Sequence, residues 1–66
     1  MERLILLSIR RQLEMQGFCF TMIETLTGAK FSDMFEKEAK SYLKAFCKRQ
    51  NLKIEYLGGN NYEMSF

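Results

Sequence analysis

Apolar residues recur with a helical period over residues 2–16, where Leu6, Ile9 and Leu13 share one face. Leu4, Leu7 and Met15 widen the apolar surface beyond a single stripe. A helix apolar around so much of its girth is either central to a core or partly buried in a partner subunit. Gly17 is placed to close this first helix in a left-handed conformation that a β-carbon disfavours. Phe18-Cys19-Phe20 reads as a short extended stretch. Thr21-Met22-Ile23-Glu24 then has the form of a capping box, with Thr21 as N-cap and Glu24 reaching back to its amide. That pattern predicts a short second helix through about Thr27, with Met22, Ile23 and Leu26 on its buried face and Gly28 ending it.

Gly28 to Ser32 follows as a tight connection. From Asp33 to Gln50 the pattern predicts a third, longer helix with two opposed faces. Phe35, Ala39, Tyr42, Leu43 and Phe46 fall on one side, and Lys37, Lys40, Lys44 and Lys48 almost diametrically opposite. Ser32 or Asp33 is the expected cap, and Asp33-x-x-Glu36 repeats the capping-box logic. Beyond it the period changes to two. Leu52, Ile54 and Tyr56 alternate with Lys53, Glu55 and Leu57, and Tyr62, Met64 and Phe66 alternate with Asn61, Glu63 and Ser65. Between these arms Gly58-Gly59-Asn60 tolerates positive φ, so residues 52–66 read as a β-hairpin with both apolar rows on one side. No residue repeat and no proline interrupts the chain.

Sixty-six residues suffice for one small domain, and at 47% hydrophobic and 14% aromatic content it is expected to be compact rather than disordered. The net charge of +2 is unevenly spread. Residues 30–53 hold seven basic groups against Asp33, Glu36 and Glu38, whereas the remainder is neutral or acidic. That concentration of positive potential suits phosphates or an acidic protein surface. Cys19 and Cys47 lack metal-ligand spacing and the chain has no histidine. Both cysteines are expected to be small buried hydrophobes in a reducing compartment, and no metal or other cofactor is implied. Leu4 to Ile9 is too short for a signal core or a membrane span, so a soluble, cytoplasmic chain without a membrane partner is expected. There are no distinctively paired carboxylates, no phosphate-cradling glycine loop and no nucleophile beside a base. The chain is therefore not expected to be an enzyme.

The expected class is α+β, three helices followed by a C-terminal β-hairpin. This order and these element lengths resemble the winged-helix fold, a helix-turn-helix variant with a hairpin wing, over nearly all of residues 1–66. The resemblance implies DNA binding, with Thr21–Thr27 as supporting helix, Asp33–Gln50 as recognition helix and the hairpin as wing. It places Lys37, Lys40, Ser41, Lys44 and Lys48 on the DNA-facing side, with Lys30 and Ser32 in the turn and Asn60 and Asn61 at the wing tip near phosphates. Lysines there would neutralise phosphates, while Asn and Ser could hydrogen-bond phosphates or base edges. The acidic start of the recognition helix and a wing tip without lysine or arginine point to backbone contact more than to base reading.

The functional expectation is a small DNA-binding transcriptional regulator of the kind carried by a phage, plasmid or other mobile element. It would act as a homodimer through the first helix. The alternative is a protein-interaction module, an adaptor or inhibitor of a host protein, that binds no nucleic acid.

Overall fold

A computed structural model describes residues 2–66. It contains α1 (Glu2–Met15), β1 (Thr21–Thr25), β2 (Gly28–Ser32), α2 (Lys37–Arg49), β3 (Lys53–Gly58) and β4 (Asn61–Ser65). The four strands form one antiparallel sheet in the order β1-β2-β4-β3. Both helices contribute to one core cluster against one face of this sheet. The order α-β-β thus occurs twice, and the two units join back to back through their second strands. The repeat is one of elements, which the residue pattern does not display.

Both helices form where apolar spacing demands. α1 buries Leu6, Ile9 and Leu13, and α2 buries Ala39, Leu43, Phe46 and Cys47. They also end alike. Gly17 takes φ +77° after α1, and Asn51 takes φ +58° after α2. In each case the next amide returns to a carbonyl five residues back, Phe18 to Leu13 at 3.2 Å and Leu52 to Cys47 at 2.8 Å. Each left-handed residue turns the chain sharply back towards the sheet, satisfying carbonyls that would otherwise lack donors. Asparagine tolerates this conformation better than other residues with a β-carbon.

Pairing fixes which residues share a face. Across the helix-covered side run the rows Met22–Phe31–Tyr62–Tyr56 and Glu24–Ala29–Met64–Ile54. Their central members Ala29, Phe31, Tyr62 and Met64 are buried. The open side carries Ile23–Lys30–Glu63–Glu55 and Thr25–Gly28–Ser65–Lys53. In the hairpin the expected alternation holds, with Gly58 and Gly59 both at positive φ.

The architecture overturns the expected three helices followed by a hairpin, and with it the winged-helix arrangement. There is no helix at Thr21–Thr27: residues 21–25 are β1, and the presumed connection Gly28–Ser32 is β2. The Thr21 hydroxyl donates to the Asp33 carboxylate at 2.9 Å instead of capping a helix. Ile23 is 59% exposed and Leu26 fully so, which no buried helical face would permit. Met22, Ile23 and Leu26 fit helical spacing, but Thr21, Ile23 and Thr25 are β-branched, and a pairing partner in β2 decides the outcome. Gly28 does not end a helix. It lies where β2 crosses so close to β4 that an added β-carbon would collide with the Met64 carbonyl and come within 2.8 Å of Ser65 Cα.

The third expected helix is shortened to α2. Asp33 takes φ +59° and lies outside it, and the N-cap is Glu36, with no side-chain cap bond. Phe35 is consequently expelled from the apolar face and is largely exposed. Cys19 is also exposed, against expectation, whereas Cys47 has no accessible surface. The two thiols are free.

Leu43→Ala, which opens a cavity beneath α2, should cost about 2–5 kcal/mol in urea unfolding. Gly28→Ala should cost roughly 3 kcal/mol by forcing β2 and β4 apart. A helix-ending glycine at that position would instead lose only about 1 kcal/mol.

Candidate functional site

α2 lies with Ala39, Leu43 and Phe46 against the core, so its opposite face is offered to solvent. At about 100° per residue, Lys37, Lys40, Ser41, Lys44 and Lys48 occupy an arc of about 100° on that face. Four of the five are exposed, and Lys40 is half-buried. The helix begins at Lys37, so the acidic first turn anticipated for it is displaced into the preceding loop. Asp33 and Glu36 have other work there. Asp33 accepts the Thr21 hydroxyl, and a Glu36 carboxylate oxygen accepts the Cys19 amide at 2.8 Å. Both acids fasten the entry to β1 and leave the lysine ridge interrupted by no carboxylate of its own arc.

Glu38 is the single acidic residue of α2 and projects from another flank, nearer the hollow lined by Gln16, Phe18, Lys37, Ser41 and Tyr42. That hollow is closed at its α1 end by the Tyr42 hydroxyl, which donates to Gln12 at 2.7 Å, and by the edge of Phe18 against Tyr42. No side-chain hydrogen bond among the described residues uses a lysine ammonium. The donors of the ridge are therefore unspent.

Lys44 Nζ lies 5.6 Å from the centre of the Tyr62 ring, which in turn lies 5.2 Å from Tyr56. This contact ties the ridge to the β3–β4 hairpin. Residues 56 and 62 meet because the strand register places them opposite each other on the covered side. Tyr56 remains 59% exposed and donates its hydroxyl to the Gly59 carbonyl at 2.9 Å. Sequence spacing places both tyrosines in the apolar rows of the hairpin and says no more of them. Their association with Lys44 follows from helix-over-sheet placement, for which residue spacing holds no signal.

The other anticipated residues do not all join this group. Lys30 is exposed in β2 on the open side, between Ile23 and Glu63, and so faces away from α2. Ser32 ends β2 opposite Thr21 and is half-buried. Asn60 and Asn61 form the hairpin tip, which the Met34 amide fastens to the start of α2 by donating to the Asn60 carbonyl at 3.1 Å. Asn61 Nδ2 donates to the Gly58 carbonyl at 3.0 Å, so its side chain is occupied in the turn. The set brought together is thus Lys37, Lys40, Ser41, Lys44 and Lys48, with Tyr56 and Tyr62 added.

Among the described residues no group of three or more acidic, cysteine or histidine side chains could hold a metal, and no helix is long and apolar enough to cross a membrane. Burial pushes the Cys47 thiol up to about 11, from 9.0. Compared with known proteins, the chain matches no family model, no curated protein and no solved structure.

A thiol reagent at neutral pH should label Cys19 rapidly and Cys47 only on unfolding. Because the Cys47 thiol ionises at a higher pH folded than unfolded, its contribution is complete below pH 9 and lost as pH rises towards 11. Urea midpoints should fall across that range, and less in Cys47→Ala once its own packing loss is subtracted.

Proposed function

We propose that the chain binds nucleic acid by laying the lysine ridge of α2 along a phosphate backbone. The observation that carries this reading is the gathering of Lys37, Lys40, Lys44 and Lys48 on one solvent face of one helix, with Ser41 among them and their donors unspent. Lysine neutralises phosphates and releases counterions without reading base edges, so binding through this ridge is sequence-tolerant. α2 lies flat on the sheet and offers a ridge, not a projecting recognition helix. The open side of the sheet holds Ile23, Lys30, Glu63 and Glu55 where a base-stacking surface would need aromatic rings. Recognition therefore rests on charge, with Tyr56 and Phe35 the exposed rings able to stack on an unpaired base.

A second reading is favoured by α1. Leu4 at 64%, Leu7 at 44% and Met15 at 83% exposure surround Arg11 on its outer face. An apolar stripe of this kind suits a protein partner.

Anisotropy titrations with labelled duplex and single-stranded DNA separate the two. Four lysine–phosphate contacts give a slope of log affinity against log salt of about −3.6 on duplex and a shallower one on single strands. Lys40→Glu with Lys44→Glu should abolish binding and leave the circular dichroism unchanged. A slope near zero, or binding that survives this double reversal, removes α2 as a nucleic-acid surface.

A further inference from the structure

The lysine ridge of α2 has an aromatic pair on each of its flanks. Tyr42 and Lys44 stand two positions apart, about 200° around the helix, so they project from opposite flanks. On the α1 flank Tyr42 donates its hydroxyl to Gln12 at 2.7 Å and meets the edge of Phe18, with ring centres 6.2 Å apart. On the hairpin flank Lys44 Nζ lies 5.6 Å from the centre of Tyr62, and Tyr62 lies 5.2 Å from Tyr56. Lys37, Ser41 and Lys48 occupy the solvent arc between the two flanks, and all three are exposed.

The two pairs are reached differently. Phe18 and Tyr42 line the hollow between α1 and α2, which holds about 740 Å³ and opens to solvent. Small-molecule sites typically span about 300–1,000 Å³. Lys37 and Ser41 belong to ridge and hollow alike, and Glu38 is the one carboxylate in the lining. No side-chain hydrogen bond among the described residues occupies Glu38 or Gln16. A free carboxylate there repels phosphates and accepts the N–H groups that every base carries on its edge. Tyr56 needs no cavity. It is 59% exposed, and its hydroxyl bond to the Gly59 carbonyl at 2.9 Å holds the ring in place. No carboxylate shares its side of the hairpin, because Glu55 and Glu63 alternate with the tyrosines and face the open side.

We propose that the ligand of this surface is a single nucleic-acid strand, with its phosphates on the ridge and its unpaired bases turned to both flanks. One base stacks on Tyr56, and another enters the hollow against Phe18 and Tyr42. The inference rests on the nucleic-acid reading of the ridge and adds to it the form of the strand. Each aromatic station adjoins a ridge lysine: Lys44 bears on the Tyr62 ring that Tyr56 also meets, and Lys37 lines the hollow. A base seated at either station therefore has a phosphate of its own strand beside an ammonium group. A duplex meets the same lysines but keeps its base faces stacked inside the helix, so the rings add nothing to its binding. Every base has a π-face, so a strand held this way is bound without regard to its sequence.

Three labelled probes of about twelve nucleotides, titrated at one low salt concentration, test this: oligo-dT, an abasic strand with the same phosphates, and a duplex. Oligo-dT should bind at least about tenfold more tightly than the abasic strand. It should also bind more tightly than the duplex, despite the duplex's higher charge density. Tyr56→Leu should weaken oligo-dT binding roughly five- to hundredfold, and Tyr56→Phe, which keeps the ring, should restore it. Proton NMR of the unmutated chain gives a readout free of folding effects: the ring signals of Phe18, Tyr42 and Tyr56 shift with oligo-dT and not with the abasic strand. Equal affinity for oligo-dT and the abasic strand overturns the proposal and leaves the ridge standing as a phosphate surface. So does a duplex bound more tightly than oligo-dT, a Tyr56→Leu chain that binds oligo-dT unchanged, or ring signals that stay in place. Failure of all three probes to bind removes the nucleic-acid reading and this inference together.

Discussion

β2 and β4 pair from Gly28–Ser65 to Phe31–Tyr62, and this central pairing joins two units that could not stand separately. A helix over a two-stranded hairpin buries too little to be stable alone, since isolated hairpins are marginal in water. Joined, the units place Ala29, Phe31, Tyr62 and Met64 beneath both helices, and all four are sealed from solvent. The approach is close enough that Gly28 has no room for a side chain. The rest of the core is arranged around this seam: α1 packs over β2, and α2 passes beside it to β3.

Coverage on one side alone determines where function can reside. The core is filled by packing, and the surfaces left are the outward faces of the helices, the open side of the sheet and its two edges. The lysines of α2 lie outward because their opposite positions are committed to the core. The edges became unequal through one inserted residue, Leu57, which bends β3 out of register while β1 stays regular. Near-symmetry in the order of elements thus leaves an asymmetric surface.

Much of this was legible in local pattern. The buried set of α1, the Ala39, Leu43 and Phe46 core of α2, the left-handed Gly17 and the hairpin with its glycine tip each follow from spacing within a few residues, whereas Phe35 left the expected face. The region from Thr21 to Ser32 was misread because five-residue segments contain too few positions to separate a period of 3.6 from one of 2. Met22, Ile23 and Leu26 satisfy the helical template, and a threonine with glutamate three residues later imitates a capping box. What settles the matter is remote: β4 needs a second neighbour, and β2 supplies it. The same division applies to the candidate site. The lysine ridge depends on helical spacing and was visible, whereas the turning away of Lys30 and the approach of Tyr62 to Lys44 depend on which side of the sheet each strand presents.

The amino-acid sequence by itself determined two amphipathic helices, a C-terminal hairpin and a band of lysines on one helical face. These are settled by interactions between near neighbours. Tertiary structure alone decided that Thr21–Ser32 forms strands, that two α-β-β units meet through β2 and β4, and that one sheet edge is left regular. Those outcomes depend on hydrogen bonds between residues some thirty positions apart, as in Phe31 with Tyr62, and no local period encodes them.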